Sequence, residues 1–181
     1  VHLSVAASVD LVREARSAGL PVAGEACLHH LFRDRSFYAG DEDEALRAIL
    51  SPPLRRGMDC QGILAGLVRG DLDLLSTDHC EFPLELKRRA AAAGSFATVP
   101  NGAGGVGERL TLSHALGVCA GGLDPRRWVE VCCEAPARLL GLAHRKGRIA
   151  PGLDADLVLF DPDASGTWTP LGASDREGSL W

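Results

Sequence analysis

Asp78, His79 and Cys80 stand together in the stretch LLSTDHCEF, residues 74–82, where an aliphatic run breaks abruptly into polar groups. A carboxylate, an imidazole and a thiol are the side chains that hold divalent metals or move protons. His2, at the start of the chain, is a second group of this kind. In parallel βα proteins the functional side chains gather at the C-terminal ends of strands. Asp78 falls at such an end if 72–77 is a strand, and His2 does if Val1 closes one. Two donors on strand ends of one barrel can share a cation, and a carboxylate beside that cation can also transfer protons. The plainer reading stands beside this one. An aspartate after a strand is commonly a turn former or helix cap, and a single histidine is commonly just part-buried.

Other residues offer weaker chemistry. His29 and His30 are neighbours, and on a strand their side chains would point to opposite faces, so both could not serve one metal. The run NGAGG, 101–105, lacks the Lys-Ser/Thr of a phosphate loop and is not GxGxxG. It suits a loop with little side-chain bulk that presents backbone amides. His114, inside a helical pattern, and His144, beside the basic run HRKGR, read as structural or solvated. No base stands near Cys80 in a recognisable order, which favours a small strand-end filler over a nucleophile.

The elements that must position these groups follow from the apolar spacing. Val5, Val9 and Val12 recur at helical intervals over 4–18, widened by Leu11 and Ala15, with Ser4 as N-cap and Gly19 as stop. PVAGEAC (21–27) reads as a short strand, 33–45 as a polar excursion, and 43–49 as a short helical turn before the two prolines of SPPLR (51–55). Ile63, Leu64, Leu67 and Val68 give a helix over 59–69 closed by Gly70, and LDLLST (72–77) follows as a buried strand. Helix, glycine stop, strand and polar end thus occur twice, which is the signature of a parallel α/β architecture. The glycine-rich 99–109 opens another helix to about 119. Asp124 and Pro125 then begin one over 123–142, with Pro136 starting a second short helix. Over 147–163 the pattern changes to alternation, which predicts strands, and 164–181 shows no clear element.

Composition excludes several classes. The 181 residues are 46% hydrophobic with a net charge of −5, enough for one globular core and without a basic stripe. Nucleic acid and anionic membrane are therefore not the expected partners. No apolar run reaches the roughly 18 residues of a membrane span, and no signal peptide pattern opens the chain. The six cysteines, at 27, 60, 80, 119, 132 and 133, contain no CxxC pair, so reduced thiols in a cytoplasmic protein are expected. The chain lacks an initiator Met and begins at an apparent strand end, so a piece of a longer protein is expected.

Read in order, HLS, SPPLR, STDHCEF, VPNG, EAPARLLGL and RKGRIAPGLDADLVLFDPD resemble the C-terminal portion of a dihydropyrimidinase/hydantoinase-type cyclic amidohydrolase over residues 1–163. The closing string is shared by many amidohydrolases; SPPLR with DHC and PNG points to the hydantoinase branch. The resemblance implies the last part of a (β/α)8 TIM barrel, about strands six to eight with their helices, over 1–146. A short β segment of a β-sandwich domain follows over 147–163, with an irregular tail over 164–181. It implies a divalent metal centre, with two zinc ions usual. His2 is then a metal ligand ending strand six, and Asp78 a ligand and proton shuttle ending strand eight. Metal-activated hydroxide would attack the ring carbonyl of a dihydropyrimidine or hydantoin. Ser51 and Asn101 match positions whose backbone groups hold the cyclic amide or imide. The parent protein is expected to be a dimer or tetramer. The chain departs from the family at Glu81, where proline is usual, and at Gly104–Gly107, where Pro-Gly-Val-Glu is usual. The first-strand HxH, the carboxylated lysine and the strand-five histidine of the family have no counterpart here, so this chain alone is expected to be inactive. The alternatives are a non-catalytic dihydropyrimidinase-like interaction scaffold and a cyclic amidohydrolase of dihydroorotase or allantoinase type.

Overall fold

The computed structural model describes residues 1–164. Its first half runs α1 (Ala6–Ser17), β1 (Glu25–Cys27), α2 (Leu28–Phe32), a 3-10 turn (Arg35–Ala39), α3 (Glu42–Arg47), α4 (Gly57–Arg69) and β2 (Leu74–Ser76). The second half is helical: α5 (Leu84–Ala91), a 3-10 turn (Phe96–Thr98), α6 (Arg109–Leu112), a π-helical stretch (Ser113–Cys119), α7 (Pro125–Val129), a second π-helical stretch (Glu130–Glu134) and α8 (Ala135–Leu139).

β1 and β2 pair in parallel, with Glu25 opposite Leu74, Ala26 opposite Leu75 and Cys27 opposite Ser76. Parallel neighbours need a long crossover, which α2 to α4 supply. α1 and α4 cover one side. Their Val9, Val12, Ile63 and Leu67 bury against Ala26, Leu72 and Leu75 of the strand region. Burying each such side chain favours the fold by about 1.5–3 kcal/mol. Both helices stop where the sequence pattern puts a glycine, Gly19 at φ +80° and Gly70 at φ +87°, a left-handed turn that a β-carbon resists. Asp124 caps α7 by accepting from the Arg126 amide at 2.8 Å, with Pro125 in the first turn.

Three expectations need correction. Ser4 does not cap α1. Val5 occupies that position, and the buried Ser4 hydroxyl instead accepts from Arg55 Nε at 3.2 Å. Leu11 faces solvent rather than widening the buried stripe. His29 and His30 lie on α2, not on a strand, so they share a neighbourhood. Among the described residues two strands form, β1 and β2, where the resemblance implies about strands six to eight. Residues 1–3 contribute one ladder-like bond, from the Leu3 amide to the Glu25 carbonyl at 2.9 Å, too little for a strand.

Residues 147–163, read as β-sandwich strands, form no ladder with any described residue. A strand exists only against a partner, and here none is offered. The segment is held at isolated points. Phe160 packs edge-on against His114 and Trp128, with centroids 4.8 and 5.1 Å away, and Arg145 pairs with Asp154 at 2.8 Å. Of the tail over 164–181, all but Ala164 lies outside the described residues. No helix among the described residues is long and apolar enough to cross a membrane.

Candidate active site

β1 and β2 end side by side, and the two singled-out groups meet just beyond them. His2 Nε2 lies 3.6 Å from Asp78 Oδ1, and both side chains are partly exposed on the same rim. Both residues hold a left-handed backbone, φ +53° at His2 and +45° at Asp78, where residues other than glycine are uncommon. That conformation costs on the order of 1–2 kcal/mol per residue, so the surrounding structure imposes it.

The remaining contacts of His2 come from β1. Glu25 Oε1 lies 2.6 Å from His2 Nδ1 and also accepts the His2 backbone amide at 3.1 Å. A carboxylate on Nδ1 fixes the tautomer that leaves Nε2 as a lone-pair donor, the usual support for a metal-bound histidine. Two donors at about 2.1 Å from a tetrahedral cation would stand about 3.4 Å apart, close to the observed spacing of Nε2 and Oδ1. The donor set therefore fits a divalent metal. Sequence reasoning missed Glu25, which opens β1 and meets a histidine 23 residues away, a pairing that no local pattern marks.

Behind this pair, Cys27 Sγ lies 3.3 Å from His2 Nδ1 and 3.4 Å from Ser76 Oγ. Burial pushes the Cys27 thiol up to about 12, so at neutral pH it is protonated and no nucleophile. Cys27, His29 and His30 form a second cluster whose donor atoms lie within 4.8 Å of one another. Burial drives His29 down to about 3, with the His30 imidazole adding to the effect, and His30 is lowered for the same first reason. Both rings are therefore neutral near pH 7. His30 Nε2 lies 3.0 Å from the Pro52 carbonyl, which ties α2 to the loop carrying Ser51.

Ser51 and Asn101 sit on separate loops, both exposed. The Gly102 amide donates to the Ile49 carbonyl at 3.0 Å and so joins the two loops one and two residues from those positions. The glycine-rich run packs against the end of β2. Gly105 and Val106 donate their amides to His79 Nδ1 at 3.1 and 3.3 Å, and Cys80 donates to the Ala103 carbonyl at 3.0 Å. At Gly102, φ is +149°, and a β-carbon would come within 2.2 Å of the Cys80 carbonyl oxygen. Only glycine fits there. His79 thus organises the loop beside Asp78 and is not itself aimed at the rim. An apolar groove of about 490 Å³, lined by Trp128, Val129, Cys132, Leu157 and Phe160 among others, lies elsewhere and includes neither His2 nor Asp78.

Residues 1–176 match the model of the amidohydrolase family. Over 164 residues the chain is 40% identical to a D-hydantoinase of Streptomyces coelicolor, covering 91% of this chain and 35% of that protein. Against a D-phenylhydantoinase of Escherichia coli the figures are 39% over 165 residues, with the same coverage. Among solved structures, the D-hydantoinase (dihydropyrimidinase) from Thermus sp. superposes with a TM-score of 0.87 at 36% identity, over 92% of this chain and 36% of that one. The chain spans about a third of the length of the curated relatives it matches.

Proposed function

The chain belongs to the amidohydrolase family, and from that premise we propose that the protein it is part of hydrolyses the cyclic amide of a dihydropyrimidine or hydantoin. The observation that carries this reading is the approach of His2 Nε2 to Asp78 Oδ1 at 3.6 Å, with Glu25 bracing the far side of the imidazole. The family is generally metal-dependent, and a bound divalent metal, with two zinc ions the expected complement, would lower the pKa of water toward neutrality and so supply hydroxide as the nucleophile.

The chain's own residues do the rest. His2 and Asp78 would hold the metal. Asp78, on the open rim, would take the proton of the attacking water and return it to the ring nitrogen as the amide bond breaks. Backbone groups at Ser51 and Asn101 would hold the amide edge of the ring and align its carbonyl. In this reading β1 and β2 correspond to strands seven and eight of a (β/α)8 barrel, and 147–163 joins a β-sandwich completed by residues beyond these. Two donors do not hold two ions, so other side chains complete the centre, and residues 1–181 alone are inactive.

The test is direct. The whole protein, loaded with zinc, should open dihydrouracil or hydantoin and should retain bound metal after dialysis. Metal binding without any ring opening would sink the hydrolase reading and favour an interaction scaffold. Faster turnover of dihydroorotate or allantoin would move the substrate to those relatives.

A further inference from the structure

Lys87 of α5 is 1% exposed, and its ammonium reaches four backbone carbonyls. Those of Leu46, Ile49 and Gly102 lie at 3.0, 3.1 and 2.7 Å, and that of Arg47 at 3.3 Å. Three N–H groups therefore serve four acceptors, and none faces water. Leu46 and Arg47 end α3, Ile49 stands two residues before Ser51, and Gly102 follows Asn101. One side chain thus fastens both loops that flank the rim. A buried lysine is a costly way to fill space; an aliphatic residue would pack α3 against α5 without desolvating a charge. Burial lowers Lys87 to about 8, which leaves it mostly protonated near neutrality and able to use all three donors.

We propose that Lys87 is a positioning residue that sets the separation of the backbone at Ser51 from the backbone at Asn101, and with it the slot that receives the planar amide of the substrate. The inference rests on the reading above that those two segments hold the ring. Lys87 touches no substrate. It acts through the Ile49 and Gly102 carbonyls, with the Gly102 amide to Ile49 bond as the shared strut.

The experiment compares Lys87→Met with Leu84→Ala in the whole zinc-loaded protein. Leu84, one turn earlier, packs in the same small cluster with Leu46 and Val99 and donates to nothing there. Removing it weakens the same packing while keeping the ammonium. Hydrogen exchange at the amides of 49–51 and 101–103 and the KM and kcat for dihydrouracil are read on both variants. Lys87→Met should speed exchange in both loops together and raise KM about tenfold or more with kcat within about threefold, because the slot grips ground state and transition state alike. Leu84→Ala should lower Tm without either change. Unchanged exchange in Lys87→Met, or an equal KM rise in Leu84→Ala, would overturn the proposal. If the wild type opens no ring, the hydrolase reading falls, and exchange alone decides Lys87: coupled loosening upholds its role and its absence ends it. Should Lys87→Met fail to fold, Lys87→Gln, which keeps two donors, should show the same pair of changes in smaller degree, and stable loops in it would count against the proposal.

Discussion

Leu74–Ser76 and residues 155–160 are both short aliphatic runs that follow an Asp-bearing turn. Leu75 in the first is 1% exposed, framed by Ala26 across the ladder and by α1 and α4 behind. Leu159 in the second is 103% exposed, and Leu157 and Val158 beside it are also open. The side chains are alike; what differs is whether another strand and a helical cover are at hand. An apolar run becomes a strand by pairing, and its rim can carry chemistry only after its backbone is fixed. The His2–Asp78 rim exists because β1 and β2 found each other.

Four measurements separate the paired strand ends from the open run. The largest effect is expected at the rim itself. Asp78→Ala in the whole metal-loaded protein should lower kcat/KM for hydantoin by about 10³-fold or more, with an unchanged far-ultraviolet circular dichroism spectrum. Activity within tenfold of wild type would show that the paired strands do not carry the chemistry. Next come the two leucines. Leu75→Ala should cost about 2–5 kcal/mol in urea unfolding. Leu159→Ala should stay within about 0.5 kcal/mol in a chain of residues 1–181 and cost more only where a completed sandwich covers it. Equal costs in the short chain would erase the distinction drawn here.

A third, Gly102→Ala, forces a β-carbon against the Cys80 carbonyl and should destabilise by about 1–3 kcal/mol, read as a lower urea midpoint, because φ and space both oppose it. The fourth effect is on pH. The folded His29 sits at about 3 against an ordinary value near 6.5. Between these values the unfolded chain takes up a proton that the folded one refuses. Stability should therefore fall as pH drops from 6.5 toward 3, by up to about 1.4 kcal/mol per unit for this group. His29→Gln should flatten that limb of the urea midpoint against pH, and an identical slope would contradict the buried neutral ring.

The helices and strands around the rim were legible because their signals are local: valine spacing in α1, Gly70 after α4, Asp124-Pro125 before α7. The likeness in residue pattern also pointed to the family to which the chain belongs. His2 and Asp78 were legible as a pair through strand-end logic, although their left-handed backbones were not: histidine and aspartate enter that conformation more often than most residues, but only where neighbours impose it. Glu25 and Lys87 were hidden for a related reason. Each acts across tens of residues, Glu25 on His2 and Lys87 on Gly102 and Ile49, and apolar periodicity does not report on polar partners so far apart. The β segment over 147–163 is the opposite case, pairing with no described residue. Its alternation is clear, but alternation states a capacity to pair and does not supply the partner.

The positive φ at His2 and Asp78 has a consequence for how variants of this protein would be sorted. Glycine at either position relieves a main-chain conformation that costs any residue with a β-carbon, histidine and aspartate less than most, a gain of up to about 1 kcal/mol after the added freedom of the unfolded chain is set against it. A library selected for cellular abundance would then accept glycine at 2 and 78, while the same library selected for turnover would reject it. Those two positions are where the demands of a sturdy molecule and of a working one would part most visibly.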